Sequence, residues 1–141
     1  SHTEIKITKD GAKVVELGAR LGGDNITTYL TPLSTGVDMV ESCIRIALGE
    51  TADLKPKFHK ASAIRYFRSE QGCIRDIRGI EEARKLSGVK QIYVVHGIGE
   101  KMNGIKSSGD RSGFVIAQAN TAEKAVEICE KALDLIEIEM E

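Results

Sequence analysis

A chain of 141 residues, 41% hydrophobic and 29% charged, is long enough for one domain or two small ones with a buried core. Its net charge of -1 provides no basic surface for nucleic acid, and its 4% aromatic residues argue against a platform that stacks bases. No apolar run approaches the roughly 20 residues that span a bilayer, so we expect neither nucleic-acid nor membrane partners. The three cysteines are widely spaced, which indicates buried thiols in a reducing, cytoplasmic compartment rather than a zinc site: Cys43, Cys73 and Cys129.

A β-hairpin is predicted over residues 4–17, where "EIKIT" and "AKVVEL" flank the loop "KDG". Gly11 suits the left-handed position of a three-residue loop. If the loop is centred on Asp10, Glu4 lies directly opposite Glu16, and alternation places both on one face. The other face, which we expect to point into the core, carries four apolar residues: Ile5, Ile7, Val15 and Leu17.

Two directly opposed carboxylates form an unfavourable like-charge pair, with Cβ atoms about 4.5–5.5 Å apart. A divalent cation such as Mg²⁺, bound by both Glu4 and Glu16, would compensate this repulsion and commonly shares phosphate oxygens from a substrate. Two alternatives stay open on the hairpin alone. Solvent and the neighbouring Lys6 would screen the charges, or a register shift of one residue would separate them.

The residues after Glu16 add groups that suit an anionic ligand. If the strand stays extended, Arg20 shares the face of Glu16 and offers a planar fork of donors for a phosphate or a carboxylate. The pair Gly22 and Gly23 allows the backbone to approach a ligand closely, with Asp24 just beyond. A glycine pair alone usually marks a turn, but two carboxylates, an arginine and a glycine pair on one edge form a more specific set.

The next elements are less uniform. Residues 24–34 are ambiguous, because Asp24 would cap a short helix that Pro32 interrupts. A helix is predicted over residues 37–48 and ends at Gly49. Its apolar face comprises Val37, Val40, Cys43, Ile44, Ala47 and Leu48. The polar segment 50–60 predicts a linker, which divides the chain near residue 55 into domains at 1–55 and 56–141.

The second half alternates between strand and helix patterns. Strands are predicted at 61–68, 73–77, 91–96 and 113–118, with a helix at 79–87 and another at the end of the chain. Asn120 and Glu123 have the spacing of a helix N-cap. The final helix then carries one apolar stripe: Ala122, Ala125, Val126, Cys129, Ala132, Leu133 and Ile136. We therefore predict an α+β fold, a ββαββα module whose antiparallel sheet has helices on one face.

A glycine-rich segment follows His96. No helix comes directly after its glycines, so it does not match a dinucleotide-binding motif. We expect a long mobile loop, with coverage of the substrate site as the alternative. At its end, Asp110 and Arg111 either pair locally or line the cleft.

The residues on the hairpin edge resemble the C-terminal part of an ATP-grasp ligase. Glu4, Glu16, Gly18 and Arg20 are followed by "GGD" and then by "STGVDMVESCIRIALGE". The superfamily includes biotin carboxylase, glycinamide ribonucleotide synthetase, carbamoyl phosphate synthetase and L-amino acid ligases. Its metal-binding carboxylates lie on adjacent strands, the second in a motif of the form E-x-N-x-R. The stretch "SSGDRSGFVIAQANTAEKAVEICEKAL" is similar to the domain that follows the ATP-grasp core.

The resemblance implies that Glu4 and Glu16 bind Mg²⁺, or Mn²⁺, between the phosphates of ATP. It implies that Arg20 holds an acyl phosphate or the substrate carboxylate. Given the close approach that the glycine pair allows, we expect Gly22, Gly23 and Asp24 to take part in cofactor binding. The implied reaction joins a carboxylate to an amine, or to a thiol, with consumption of ATP, as in a phosphoribosylglycinamide synthetase or an amino acid ligase.

The chain departs from the superfamily pattern at two points. Gly18 stands where the motif has asparagine, so one ligand is missing or replaced by water. The arginine that biotin carboxylase uses in its later domain has only nearby candidates here, namely Arg65 and Arg68.

The nucleotide clamp of the superfamily lies upstream of the first carboxylate, whereas this chain starts almost on Glu4. We therefore expect a C-terminal fragment that is inactive alone and binds neither ATP nor Mg²⁺ tightly. Its expected partners are the rest of the same polypeptide and small-molecule carboxylate and amine substrates, with a homodimer as a further option. The alternative is a non-catalytic regulatory or dimerisation module, similar to the ACT domains that bind small molecules.

Overall fold

The computed structural model describes residues 1–68 and 70–141. Its N-terminal third begins with an antiparallel hairpin, β1 (His2–Thr8) and β2 (Gly11–Gly18). A π-helical turn at Ile26–Leu30 leads into α1 (Thr31–Thr35), and α2 (Met39–Ala47) follows. Pro32 lies in the first turn of α1, where its missing N–H is not needed. The ambiguous segment is therefore helical on both sides of this proline.

The described residues of the rest of the chain form two antiparallel sheets of three strands each. Its elements are β3 (Ala61–Tyr66), β4 (Gly72–Arg78), α3 (Ile80–Arg84), β5 (Val89–Val94), β6 (Lys101–Met102), a 3₁₀ turn (Ser108–Asp110), β7 (Gly113–Ala119), α4 (Ala122–Leu135) and β8 (Glu137–Met140). The strand order is β3-β7-β5 in the first sheet and β6-β4-β8 in the second. The predicted α+β class is confirmed. The strands are divided between two sheets because β4 pairs with β6 and β8, two short strands that the sequence pattern does not predict.

The main core lies between the first sheet and the helices α3 and α4, which pack on the sheet as predicted. Its buried members are Ala63, Phe67, Ala83, Ile92, Val115, Ala117, Ala125, Cys129 and Ala132. The α4 members of this set are small and recur every three or four positions, so the helix lies close to the strands.

Helix α4 begins differently from the prediction. Thr121, rather than Asn120, is the N-cap, and its hydroxyl accepts a hydrogen bond from the N–H of Lys124 at 3.3 Å. Ala122, which the predicted stripe includes, is exposed. The spacing of Asn120 and Glu123 is therefore misleading, because the threonine one position later provides the side-chain acceptor.

Polar contacts join the α1 region to the first sheet. The hydroxyl oxygens of Ser34 and Ser62 lie 2.7 Å apart, and the Ser62 hydroxyl donates to the carbonyl of Leu30 at 2.9 Å. The side-chain amide of Gln118 donates to the carbonyl of Leu33 at 2.5 Å. These contacts fix the N-terminal third relative to β3 and β7.

Two apolar faces of the N-terminal third lie on the surface. The expected core face of the hairpin is exposed in this chain, with Leu17 at 68% and Ile7 at 80%. On α2, exposure rises along the predicted apolar face from 38% at Val40 to 71% at Leu48. The periodicity identifies amphipathic elements correctly, but the described chain leaves most of both faces uncovered, and of the residues predicted for the α2 face Val37 is buried at 5% exposure.

The cysteines differ in burial. Cys129 is fully buried, whereas Cys73 is only partly buried and Cys43 is exposed on α2. The expectation of three buried thiols is therefore wrong at Cys43, because the helix face that carries it is uncovered. Among the described residues, the helices are all too short or too polar to cross a membrane.

Candidate functional site

The hairpin places Glu4 directly opposite Glu16, as the sequence predicts. The path to this register differs from the prediction, because Thr8 opposes Gly11 across a two-residue turn. Near the turn the strands are therefore one residue away from the expected register. Between the Ile5–Val14 pair and the Glu4–Glu16 pair, a β-bulge inserts one extra residue into β2. This extra residue places Glu4 opposite Glu16, as predicted.

Each carboxylate of this pair has a side-chain nitrogen beside it. Arg20 Nη2 donates to Glu16 Oε1 at 3.1 Å, and His2 Nε2 lies 3.3 Å from Glu4 Oε1. Both glutamate side chains are 52% exposed. Arg20 offsets part of the like-charge repulsion with its positive charge, and His2 lies within hydrogen-bond distance of the Glu4 carboxylate.

The donor set suits part of the coordination sphere of a divalent cation. Opposed residues of an antiparallel pair project to the same face, so Glu4 and Glu16 present hard oxygen ligands together. In the described parts of the chain, no group of three or more His, Cys, Asp and Glu side chains is placed to hold a metal ion. Because Mg²⁺ requires octahedral coordination, a cation bound here would take further oxygens from water or from a substrate phosphate.

Gly18 has a packing role beside Arg20. A Cβ atom at position 18 would lie 3.3 Å from Cγ and 3.5 Å from Nε of Arg20. The arginine folds back over this position to reach Glu16, and its Nη1 donates to the carbonyl of Leu21 at 3.0 Å. A side chain at position 18 would crowd this conformation, which gives a physical reason for glycine in place of the motif asparagine.

The two glycines of the "GGD" segment have different surroundings. A Cβ atom on Gly22 would lie 3.0 Å from Nδ1 of His2 and 3.3 Å from Ile26, whereas one on Gly23 would meet nothing within 4 Å. Gly22 is therefore packed against the residue that contacts Glu4, and the open side of the pair is at Gly23. This contact brings the glycine pair to the carboxylate edge of the hairpin.

The loop after the glycines adopts an uncommon backbone conformation. Asp24 and Asn25 both have left-handed dihedrals, with φ of 49° and 62°. Consecutive non-glycine residues in this region persist only where surrounding contacts hold them. One such contact comes from buried Thr27, whose hydroxyl donates to the carbonyl of Gly22 at 2.9 Å.

A second contact comes from the other end of the chain. Arg111 Nη1 donates to Asp24 Oδ1 at 3.1 Å, across 87 positions of sequence. The guanidinium carbon of Arg111 lies 3.9 Å from the centroid of the Tyr66 ring, a cation–π arrangement. Burial and the nearby Asp24 carboxylate raise the pKa of the Tyr66 hydroxyl, although Arg111 acts in the opposite direction.

The sequence leaves two roles open for Asp110 and Arg111, namely a local pair or a place in the cleft. In the structure the two residues make different contacts. Asp110 pairs locally, accepting hydrogen bonds from the backbone N–H groups of Lys106 at 3.0 Å and Ser107 at 2.7 Å. These bonds hold the pKa of the Asp110 carboxyl below its usual range. Arg111 instead reaches the "GGD" loop.

The two arginines nearest to the expected position lie elsewhere. Arg65 Nε is 3.8 Å from Glu130 on α4, and Arg68 lines a small cavity with Met102 beside the second sheet. Reasoning from the sequence does not find Tyr66 at this edge, and it leaves Arg111 there only as one of two alternatives. The distance of both residues along the chain from Asp24 leaves no local motif that would identify these contacts.

Residues 65–141 match the family model described as L-amino acid ligase C-terminal domain 2. The phosphoribosylamine–glycine ligase of Caldanaerobacter subterraneus is 27% identical over 140 residues, which cover 98% of this chain and 33% of that protein. The chain spans about a third of the length of the curated relatives it matches.

Two solved structures share the fold. The L-amino acid ligase from Bacillus licheniformis superposes with a TM-score of 0.81 at 22% identity. The phosphoribosylglycinamide synthetase from Anaerococcus prevotii gives a TM-score of 0.84 at 17% identity. In both cases the match covers 99% of this chain and 36% of the other. The architecture is that of the C-terminal region of ATP-grasp ligases.

Proposed function

Because this chain belongs to the family of L-amino acid ligase C-terminal domains, we propose that it forms the C-terminal part of an ATP- and Mg²⁺-dependent ligase. The proposed reaction joins a carboxylate to an amine through an acyl phosphate. The observation that carries this proposal is the opposition of Glu4 and Glu16 on the hairpin, with Arg20 hydrogen-bonded to the second carboxylate.

The proposed roles follow from the chemistry of each side chain. Glu4 and Glu16 would hold Mg²⁺, which when bound neutralises phosphate charge. Arg20 lies beside them and would hold the anionic acyl phosphate or the substrate carboxylate with its planar donors. The open backbone at Gly23 would approach the phosphates closely, as glycine-rich turns do.

We further propose that residues 1–55 belong to an ATP-grasp domain and residues 56–141 to the domain that follows it. The uncovered apolar faces of the hairpin and α2 support this division, because exposed apolar surfaces of this kind commonly pack against another unit. About two thirds of the length of these relatives lies outside the part that this chain matches, and we place the nucleotide-binding residues there. By this proposal, the 141-residue chain alone does not catalyse ligation.

The reaction is tested with a protein that contains this chain together with the preceding ATP-grasp region. We expect release of ADP from ATP and Mg²⁺ only when a suitable carboxylate is present, and product only when an amine is added. Hydroxylamine should trap the acyl phosphate as a hydroxamate. Small-molecule binding by this chain, without any carboxylate-dependent release of ADP from the longer protein, would favour the regulatory module instead.

A further inference from the structure

Arg111, which contacts Asp24, has a tightly held backbone on both of its sides. On one side of Arg111, the Asp110 carboxylate accepts hydrogen bonds from two backbone N–H groups and closes a tight turn. On the other side, Ser112 is 2% exposed and Gly113 begins β7. A Cβ atom on Gly113 would lie only 2.2 Å from the Phe67 ring, so the backbone there has no room to move. Arg111 therefore extends from a fixed point of the first sheet.

The side chain of Arg111 is also restricted. Its guanidinium stacks on Tyr66, whose ring contacts Phe114 edge-on at 6.3 Å between centroids. Phe114 in turn stacks on Tyr93 at 5.6 Å. The Arg111 side chain is 27% exposed, whereas the Asp24 side chain is 54% exposed. An exposed ion pair alone contributes little, but a guanidinium already held on an aromatic column loses less side-chain freedom when it binds a carboxylate.

Asp24, the partner of Arg111, lies in a segment with an uncommon backbone conformation. Asp24 is the first of the two left-handed residues and directly follows Gly23, the open member of the glycine pair. Thr27 holds the loop from within, through the carbonyl of Gly22. No other side chain of the described residues is seen to hydrogen-bond the Asp24 carboxylate.

We propose that Arg111 is a positioning residue for the candidate site, which fixes the Gly22–Gly23 loop through Asp24 while its own guanidinium is held by Tyr66. This inference deepens the proposed function and rests on it for the meaning of the loop. It assigns to the C-terminal module a direct part in shaping the edge that carries Glu4, Glu16 and Arg20.

Amide hydrogen exchange in the 141-residue chain tests the positioning without any assay of activity. Arg111→Ala is expected to speed exchange at residues 23–27 by about fivefold, while exchange in α4 stays unchanged. Arg111→Lys keeps the charge but loses the planar fork, so its effect should be smaller. Arg75→Ala is the matched control, because Arg75 forms a similar exposed ion pair with Glu139 at 3.1 Å on the second sheet.

A double variant tests whether the contact itself matters. Asp24→Asn keeps a residue type that tolerates left-handed backbone but removes the charge. With Asp24→Asn in place, Arg111→Ala should add less than about a further twofold to the exchange rates, because both changes break one interaction. Unchanged exchange in Arg111→Ala, or effects of the two changes that multiply, would overturn the proposal. If Arg111→Ala unfolds the chain, the comparison of Arg111→Lys with Arg75→Ala decides in the same way.

Kinetics in the longer protein test the consequence for the site. Arg111→Ala should raise the KM for the carboxylate substrate about tenfold with kcat changed less than about twofold, and Arg111→Lys should recover part of the loss. An active ligase with an unchanged KM would contradict the positioning role. A longer protein without ATP-dependent activity would contradict the proposed function, while the exchange data would still decide whether Arg111 fixes the loop.

Discussion

Glu4 and Glu16 face each other across the β1–β2 hairpin, and a bulge in β2 produces this register. Without the extra residue, the two-residue turn at Lys9 and Asp10 would continue the pairing of Thr8 with Gly11 and separate the two carboxylates. Bulges often occur beside active sites, where they redirect a side chain. The hairpin therefore combines a local irregularity with a like-charge pair whose second carboxylate is held by Arg20 and whose first lies beside His2.

Gly18→Asn, which introduces the motif residue, should displace Arg20 from Glu16. The new Cβ would lie 3.3 Å from Cγ of Arg20, and the longer side chain would occupy the space that the arginine now crosses. We expect a change in the NMR signal of the Arg20 Nε–H group, with a free energy of unfolding within about 0.5 kcal/mol of the unsubstituted chain, because the ion pair is exposed. Gly18→Ala should give a smaller change of the same kind. An unaltered Arg20 signal in both variants would contradict the packing role of Gly18.

Leu17→Thr tests whether the hairpin face is covered in the longer protein. Leu17 is 68% exposed here, so the substitution should leave the stability of the 141-residue chain within about 0.5 kcal/mol. In the protein that includes the ATP-grasp region, the same change should cost about 1.5–3 kcal/mol, because an apolar side chain would lose its burial. Denaturant unfolding measures both values, and Lys13→Thr on the same strand is the control. Equal effects of Leu17→Thr in the two proteins would argue against a covering surface.

Some features of the hairpin can be predicted from the sequence, and others cannot. Alternation and a turn motif are local, so they identify the strands and even the opposition of Glu4 and Glu16. They do not locate the bulge, which depends on how the two strands pair residue by residue. The apolar face of α2 is equally visible in the sequence, but periodicity cannot say whether this chain or another covers it.

Long-range contacts are the part that the sequence does not reveal. The pairing of β8 with β4 joins the end of the chain to a strand about sixty residues earlier, and no local pattern encodes that choice. Arg111 likewise meets Asp24 across 87 positions. Their meeting depends on the packing of α1 against β3 and on the place of β7 in the middle of the first sheet.

Two glycines with similar backbone angles should differ sharply in their tolerance of a side chain. Gly79 and Gly49 have φ of 80° and 78°, but a Cβ atom on Gly79 would lie 1.7 Å from the carbonyl oxygen of Leu135, whereas Gly49 faces open space. Gly49→Ala should cost about 1 kcal/mol of unfolding free energy from backbone strain alone. Gly79→Ala should cost about 3–4 kcal/mol, because the backbone after α4 must also shift. Similar values from chemical denaturation would show that α3 and the end of α4 do not pack this closely.

The more exposed a thiol is, the faster it should react. Burial raises the pKa of the Cys129 thiol from its ordinary value of 9.0 to about 11. At about pH 8 iodoacetamide should therefore modify exposed Cys43 readily and Cys129 only after unfolding, as mass spectrometry of the digested protein would show. Because the folded-state pKa is the higher one, the stability linked to this thiol is present below pH 9 and is lost as the pH rises through about 11. Rapid modification of Cys129 in the folded chain would contradict the packing of α4 on the sheet.

The proposed function requires the Glu16 carboxylate for ATP-dependent ligation. The most direct measurement compares ATP-dependent ligation by the longer protein before and after Glu16→Ala. Glu50→Ala is the matched control, because Glu50 is also 52% exposed and pairs with an arginine, Arg45, at 3.1 Å. Glu16→Ala is expected to abolish ligation with an unchanged unfolding transition, while Glu50→Ala should retain it. Ligation that persists in a folded Glu16→Ala variant would contradict the proposed role of Glu16.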